Sequence, residues 1–156
     1  MDLLELRDDS VLKRMIASDE GIRSTPYRDT KGIWTAGIGH NLESHGDMGN
    51  LKEWLKAGVP DEKIRDWFKD DLDAAITCAA QIFAPEFELL PDNVQRVLVD
   101  MAFDLMYELW DWVVLRAKIA AHDWVGAAQS ILHSLFAQQA PDRCERLAQL
   151  LRKVPK

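Results

Sequence analysis

Three side chains in one short stretch could do chemistry together: Glu20, Asp29 and Thr35, set around a glycine-rich turn. Two carboxyl groups beside a hydroxyl suit cleavage of a glycosidic bond. One carboxylic acid protonates the leaving oxygen while a second carboxylate handles the attacking water or the developing cation. Spacing alone does not establish this, because isolated Glu/Asp pairs are in most cases solvated surface charges.

The local sequence supplies elements that would hold the three groups. An apolar-periodic run, Val11, Leu12, Met15 and Ile16, follows Ser10, a good helix N-cap, and Gly21 is a good helix terminator, so Glu20 is expected at a helix end. Two β-prone pieces follow, Thr25 to Asp29 and Ile33 to Ala36. Thr30-Lys31-Gly32 separates them, and its glycine can take the positive φ that a short hairpin loop needs. Such a hairpin brings Asp29 and Thr35 near each other. Gly37 and Gly39 then interrupt the second strand, which weakens it as sheet but admits close approach of another group.

The full pattern is more specific than the carboxylate pair. Glu20-x8-Asp29-x5-Thr35, with Tyr27-x-Asp29-x2-Gly32 and Thr35-x-Gly37-x-Gly39-His40, resembles the signature of the phage-type lysozymes, which are endolysin muramidases. Weaker similarity continues to about Arg152, leaving about the first nine residues outside it. The resemblance implies an α+β, mostly helical, bilobal fold. A small hairpin-containing lobe (residues 10–60) would be joined by a long helix (61–83) to a helical lobe (84–156), with the cleft between the lobes. It also implies hydrolysis of the β-1,4 bond between N-acetylmuramic acid and N-acetylglucosamine, with peptidoglycan glycan strands as the partner.

Residue by residue, the resemblance makes Glu20 the general acid, and Asp29 and Thr35 the pair that positions a water opposite the leaving group, with inversion. His40 and Asp71 match a structural pair tying the hairpin to the long helix. Arg143 matches an arginine that approaches the catalytic glutamate from the helical lobe, and Asn41, Phe103 and Ser130 match sugar-contacting positions. One departure stands out. Relatives usually carry Asn or Gln followed two residues later by Gly in a cleft-lining segment, whereas this chain has Asp104-Leu105-Met106.

Composition bounds the rest. A chain of 156 residues with 47% hydrophobic content fits one domain or one bilobal domain. The N-terminal segment reads as neither signal peptide nor membrane anchor, so cytoplasmic synthesis is expected, with action on the cell wall after release. A monomer with neither a nucleic-acid partner nor membrane insertion is expected as well. The two cysteines, Cys78 and Cys144, fall in predicted helices without a partner at metal-ligand spacing, and the four histidines form no HExxH pattern, so no metal and no cofactor are expected. The net charge is −7, from 19 Lys and Arg against 26 Asp and Glu, so long-range steering toward an anionic wall requires Arg143, Arg146 and Arg152 to gather into a basic patch.

Further along, Asn41 to Gly58 reads as loop with a short helix near Leu51 to Lys56. Pro60-Asp61-Glu62 opens a long amphipathic helix with Ile64, Phe68, Ala75, Cys78 and Ile82 on one stripe. Asp71 shares that stripe, where an ionised side chain needs a partner. Helices are expected from Asp92 to Leu109, Val113 to Ala121, Asp123 to Phe136 and from Pro141 onward. Trp67 and Trp124 are assigned to the core, while Trp110 and Trp112 stand between core and sugar-stacking roles. The rival readings are chitinase-like specificity, a lytic transglycosylase, which needs no second carboxylate, and a catalytically silent wall-binding protein that keeps the fold. Fold alone does not separate these.

Overall fold

A computed structural model describes all residues, Met1–Lys156. The chain folds into two compact units, one of Ser10–Ala74 and one of Met1–Asp9 with Ala75–Lys156. Nine α-helices and one three-stranded antiparallel sheet give the α+β, mostly helical class that the sequence suggests.

In the first unit, α2 (Ser10–Glu20) precedes the sheet β1 (Arg23–Arg28), β2 (Trp34–Gly37) and β3 (His40–Asn41), in spatial order β1-β2-β3. The register pairs Tyr27 with Thr35 and Thr35 with Asn41, so these three side chains lie in one row across the sheet. Beneath the sheet, Ala36, Ile38, Leu42, Trp54, Val59, Ile64 and Trp67 form the core. Trp54 comes from α3 (Leu51–Ala57), and Ile64 and Trp67 come from α4 (Asp61–Ile82). Burying large aromatic and branched side chains of this kind contributes roughly 1.5–3 kcal/mol each, which holds an otherwise small sheet in place.

The second unit holds α1 (Leu3–Asp8), the last turns of α4, α5 (Asp92–Leu105), α6 (Val113–Ala120), α7 (Trp124–Leu132), α8 (Leu135–Gln139) and α9 (Pro141–Arg152). α1 is started by a capping box between Asp2 and Glu5. Asp9, just past α1, binds the Arg96 guanidinium of α5 through both carboxylate oxygens, at 2.7 and 3.2 Å.

Two boundaries differ from the sequence reading. The helix expected over Asp123 to Phe136 is two helices, because Ser134 stops the first and its hydroxyl accepts from Ala137 N at 3.2 Å to cap the second. The helix expected to run to Leu109 ends at Leu105, and a 3₁₀ segment, Met106–Asp111, follows.

That second change centres on Met106, which has φ 47° and ψ −131°. A side chain in this left-handed region costs roughly 1–3 kcal/mol, whereas glycine enters it freely. Met106 ends the Asp104-Leu105-Met106 segment, where the sequence resemblance leads one to expect Gly. Met106→Gly is therefore expected to raise stability in urea unfolding by about 1 kcal/mol after the entropy cost of a new glycine, ~0.5–1 kcal/mol, is subtracted. Met106→Ala keeps the Cβ and is expected to bring no gain. Equal stability of the two variants would show that backbone conformation is not what Met106 strains.

Candidate active site

Glu20 is the last residue of α2. Gly21 directly follows with φ +72°, and its N–H donates to Ala17 O at 2.9 Å, which ends the helix and leaves Glu20 half-buried at its tip. The carboxyl group lies against the backbone of Gly39: a Cβ placed there would come within 2.7 Å of Glu20 Oε2. Gly39, at φ +63°, is thus needed both for its backbone shape and for the room it leaves the carboxyl group.

Asp29 closes the β1–β2 hairpin. Its Oδ1 accepts from Lys31 N at 2.8 Å and Ile33 N at 2.9 Å, while its backbone N–H donates to Ile33 O at 2.9 Å. Both of these side-chain bonds fall on Oδ1 and neither on Oδ2. Thr35, buried on β2, donates its hydroxyl to Ile33 O at 3.0 Å, so the same turn fixes both groups.

Tyr27 links the carboxylates electrostatically. Burial pushes its phenol pKa up, the Arg23 guanidinium pulls it down, and the negative charges of Glu20 and then Asp29 push it up again. Arg23 lies 3.8 Å from the centre of the Tyr27 ring. One phenol thus feels both carboxylates, which brings the ends of a nine-residue sequence interval into one electrostatic neighbourhood. Tyr27 has no assigned role in the sequence reading, although it stands within the motif.

Asn41, across from Thr35 on β3, accepts Ser44 N on its Oδ1 at 2.9 Å. The other sequence-selected residues belong to the helical unit. Phe103 is half-buried on α5, and Ser130 on α7 donates to Ala127 O at 2.7 Å. Arg143 on α9 is buried, with Nε 2.8 Å from Asp100 Oδ1 and an Nη donating to Asp100 O at 2.9 Å. Asp100 escaped the sequence reading because it interrupts an apolar helical face without any motif around it.

Over residues 17–149 the chain matches the family described as phage lysozyme. It belongs to the phage lysozyme family. Membership makes the chain a glycoside hydrolase of the lysozyme type, acting on peptidoglycan. No helix in it is long and apolar enough to cross a membrane.

On β3, His40 joins two acids. Its Nδ1 lies 2.7 Å from Asp71 Oδ2 on α4, and its Nε2 lies 2.8 Å from Asp47 Oδ2. The ring stacks on Trp67 at 4.2 Å between centroids. Burial alone would lower the His40 pKa, but the hydrogen bonds to Asp71 and Asp47 and their negative charge outweigh it, so the net direction is up. A raised folded-state pKa means that the stabilisation is complete below the unfolded value of about 6.5 and fades as pH rises through the folded value. The expected NMR titration midpoint of His40 lies above ~6.5, and Asp47→Asn is expected to lower it. Asp71 and His45 also face the ring, so each must be held constant in that comparison. A midpoint at or below ~6.5 would contradict a dominant charge pairing.

Proposed function

We propose that this chain is an inverting muramidase that cleaves the β-1,4 bond between N-acetylmuramic acid and N-acetylglucosamine, with Glu20 as general acid and Asp29 and Thr35 positioning the water. The observation that carries the reading is the setting of the two carboxyl groups. Glu20 is half-buried at a helix tip against a glycine that leaves it room, and Asp29 is anchored through Oδ1 within electrostatic reach of the same phenol.

Glu20 must carry a proton to give to the leaving glycosidic oxygen, and its half-buried carboxyl group stands at the tip of α2. As the C1–O bond breaks, charge develops on the sugar ring. Water attacks C1 from the opposite face and passes its proton to Asp29, while the Thr35 hydroxyl helps fix that water. Inversion needs room for the water, ~6.5–9.5 Å between carboxyls, against ~5–5.5 Å in a retaining pair. Asn41, Phe103, Ser130 and Arg143 are proposed to contact the glycan, and the His40–Asp71 pair to hold the framework. No cofactor enters the reaction, and the protein acts as a monomer.

The test is product analysis on purified glycan strands. Proton NMR at early times is expected to show the α-anomer at the new reducing end. A β-anomer would overturn inversion, and anhydro ends would indicate a transglycosylase. Asp29→Asn keeps the Oδ1 acceptor that pins the turn, so its expected loss of turnover reports the chemistry of the second carboxylate rather than collapse of the hairpin.

A further inference from the structure

We propose that His40, His45 and Asp71, backed by Asp47, form a binding site for a divalent transition-metal ion of the Zn²⁺ type. The three residues each offer one donor atom, and these atoms lie within 4.8 Å of one another. Its residues are other than Glu20, Asp29 and Thr35, and it has no part in the cleavage proposed above.

The hydrogen-bond pattern argues for a cation. His45 Nδ1 lies 2.8 Å from the Asn41 carbonyl oxygen, which can only accept, so that nitrogen carries the proton. In the neutral ring His45 Nε2 then presents a lone pair, and it faces Asp71 Oδ1 at 3.5 Å. His40 repeats the situation. It stands between Asp47 and Asp71, and a neutral imidazole can donate to only one of them, which leaves the other nitrogen lone pair against a carboxylate oxygen at 2.7 or 2.8 Å. One carboxylate, that of Asp71, and two imidazoles thus direct electron pairs toward one region, while Asp47 holds the other edge of the His40 ring. Either protons or a metal ion satisfies that arrangement.

The donor types and spacing suit a metal. Zn²⁺ takes imidazole nitrogen and carboxylate oxygen at ~2.0–2.2 Å, so tetrahedral donors stand about 3.3 Å apart. The His40–Asp71 and Asp71–His45 contacts, 2.7 and 3.5 Å, fall on different Asp71 oxygens, and the three donor atoms lie within 4.8 Å of one another, so the His45 ring must shift inward to complete the set. If Asp47 accepts from His40 Nε2–H, His40 Nδ1 is left to ligate, the second carboxylate fixing the ring as it does in carboxylate–histidine–metal arrangements. His45 is exposed, so it can close on the ion and leaves a way in from solvent, where a water would complete the coordination. Sequence spacing hides the set, because Asp71 stands 31 residues beyond His40 and on another element.

The experiment is calorimetric titration of the full chain with ZnCl₂ in a non-chelating buffer, with proton and nitrogen NMR of the histidine rings. The expected result is one saturable site, a melting temperature that rises with added Zn²⁺, and shifts of the His40 and His45 resonances with His122 and His133 unmoved. His45→Gln, a change at an exposed position, is expected to weaken binding at least ~10-fold. Absence of saturable binding at ~1 mM ZnCl₂, the weak end of useful affinities, would overturn the proposal. So would wild-type affinity in His45→Gln. Should that variant fold poorly, the wild-type NMR pattern decides: shifts at His122 or His133 in place of His40 and His45 overturn it.

Discussion

Glu20→Gln is expected to reduce lysis of outer-membrane-stripped Gram-negative cells by about 10²–10⁴-fold, the usual worth of a positioned general acid, while the melting temperature stays near that of the wild type. The amide has the size and shape of the carboxyl group, so it still fits the space beside Gly39, where a Cβ would come within 2.7 Å of Oε2. It also leaves the α2 terminus and Gly21 unchanged. What it lacks is a transferable proton for the leaving oxygen. Turbidity decrease gives the rate and far-ultraviolet circular dichroism the folding control. A variant that keeps more than about a hundredth of the wild-type rate would remove Glu20 from the general-acid role. A variant that loses both activity and fold would instead make Glu20 a structural residue, and the unchanged neighbours make that outcome easy to recognise.

The parts of the fold readable in the sequence are those fixed by local chemistry. Gly32 marks the hairpin loop, Gly21 the end of α2, and Pro60-Asp61-Glu62 the start of α4, each through a backbone or capping preference that acts within a few residues. Trp67 and Trp124 are buried, in line with their helical spacing. Long-range choices were not readable. β3 is two residues in a glycine-rich segment and exists because Asn41 and His40 find partners on β2. The break between α7 and α8 is invisible in the apolar periodicity, since Leu132 and Leu135 keep the helical interval while the Ser134 hydroxyl ends it.

The same division runs through the site. Glu20, Asp29 and Thr35 stand within one continuous stretch, so motif and structure meet there. Asp71 could be marked from sequence as a charge needing a partner, but not that His40 would also engage Asp47. A basic patch of Arg143, Arg146 and Arg152 was an open requirement for steering. Arg143 is bound to Asp100, and Arg152 lies 3.6 Å from Glu145, so two of the three charges are offset where they stand.

Arg143→Met is expected to destabilise the protein by about 3–5 kcal/mol, a large share of a typical total of ~5–15 kcal/mol. The reason is Asp100, whose side chain is wholly shielded from solvent and receives Nε of Arg143 at 2.8 Å, while the guanidinium also donates to the Asp100 carbonyl at 2.9 Å. Methionine fills much of the space but leaves a carboxylate buried without its counter-charge. Arg143→Lys keeps the charge and loses the fork that serves two acceptors, so an intermediate cost is expected. The decisive comparison is the double variant Arg143→Met with Asp100→Leu, which removes both charges and is expected to recover most of the lost stability, as replacement of a buried pair by apolar groups commonly does. A double-mutant cycle from urea unfolding gives the coupling. If the two single costs simply add, Asp100 and Arg143 do not depend on each other in the way their contact implies. The double variant also separates stability from chemistry. Restored folding with lost lysis would mean that Arg143 serves the glycan as well as Asp100, whereas restored folding with restored lysis would confine it to holding α9 on α5.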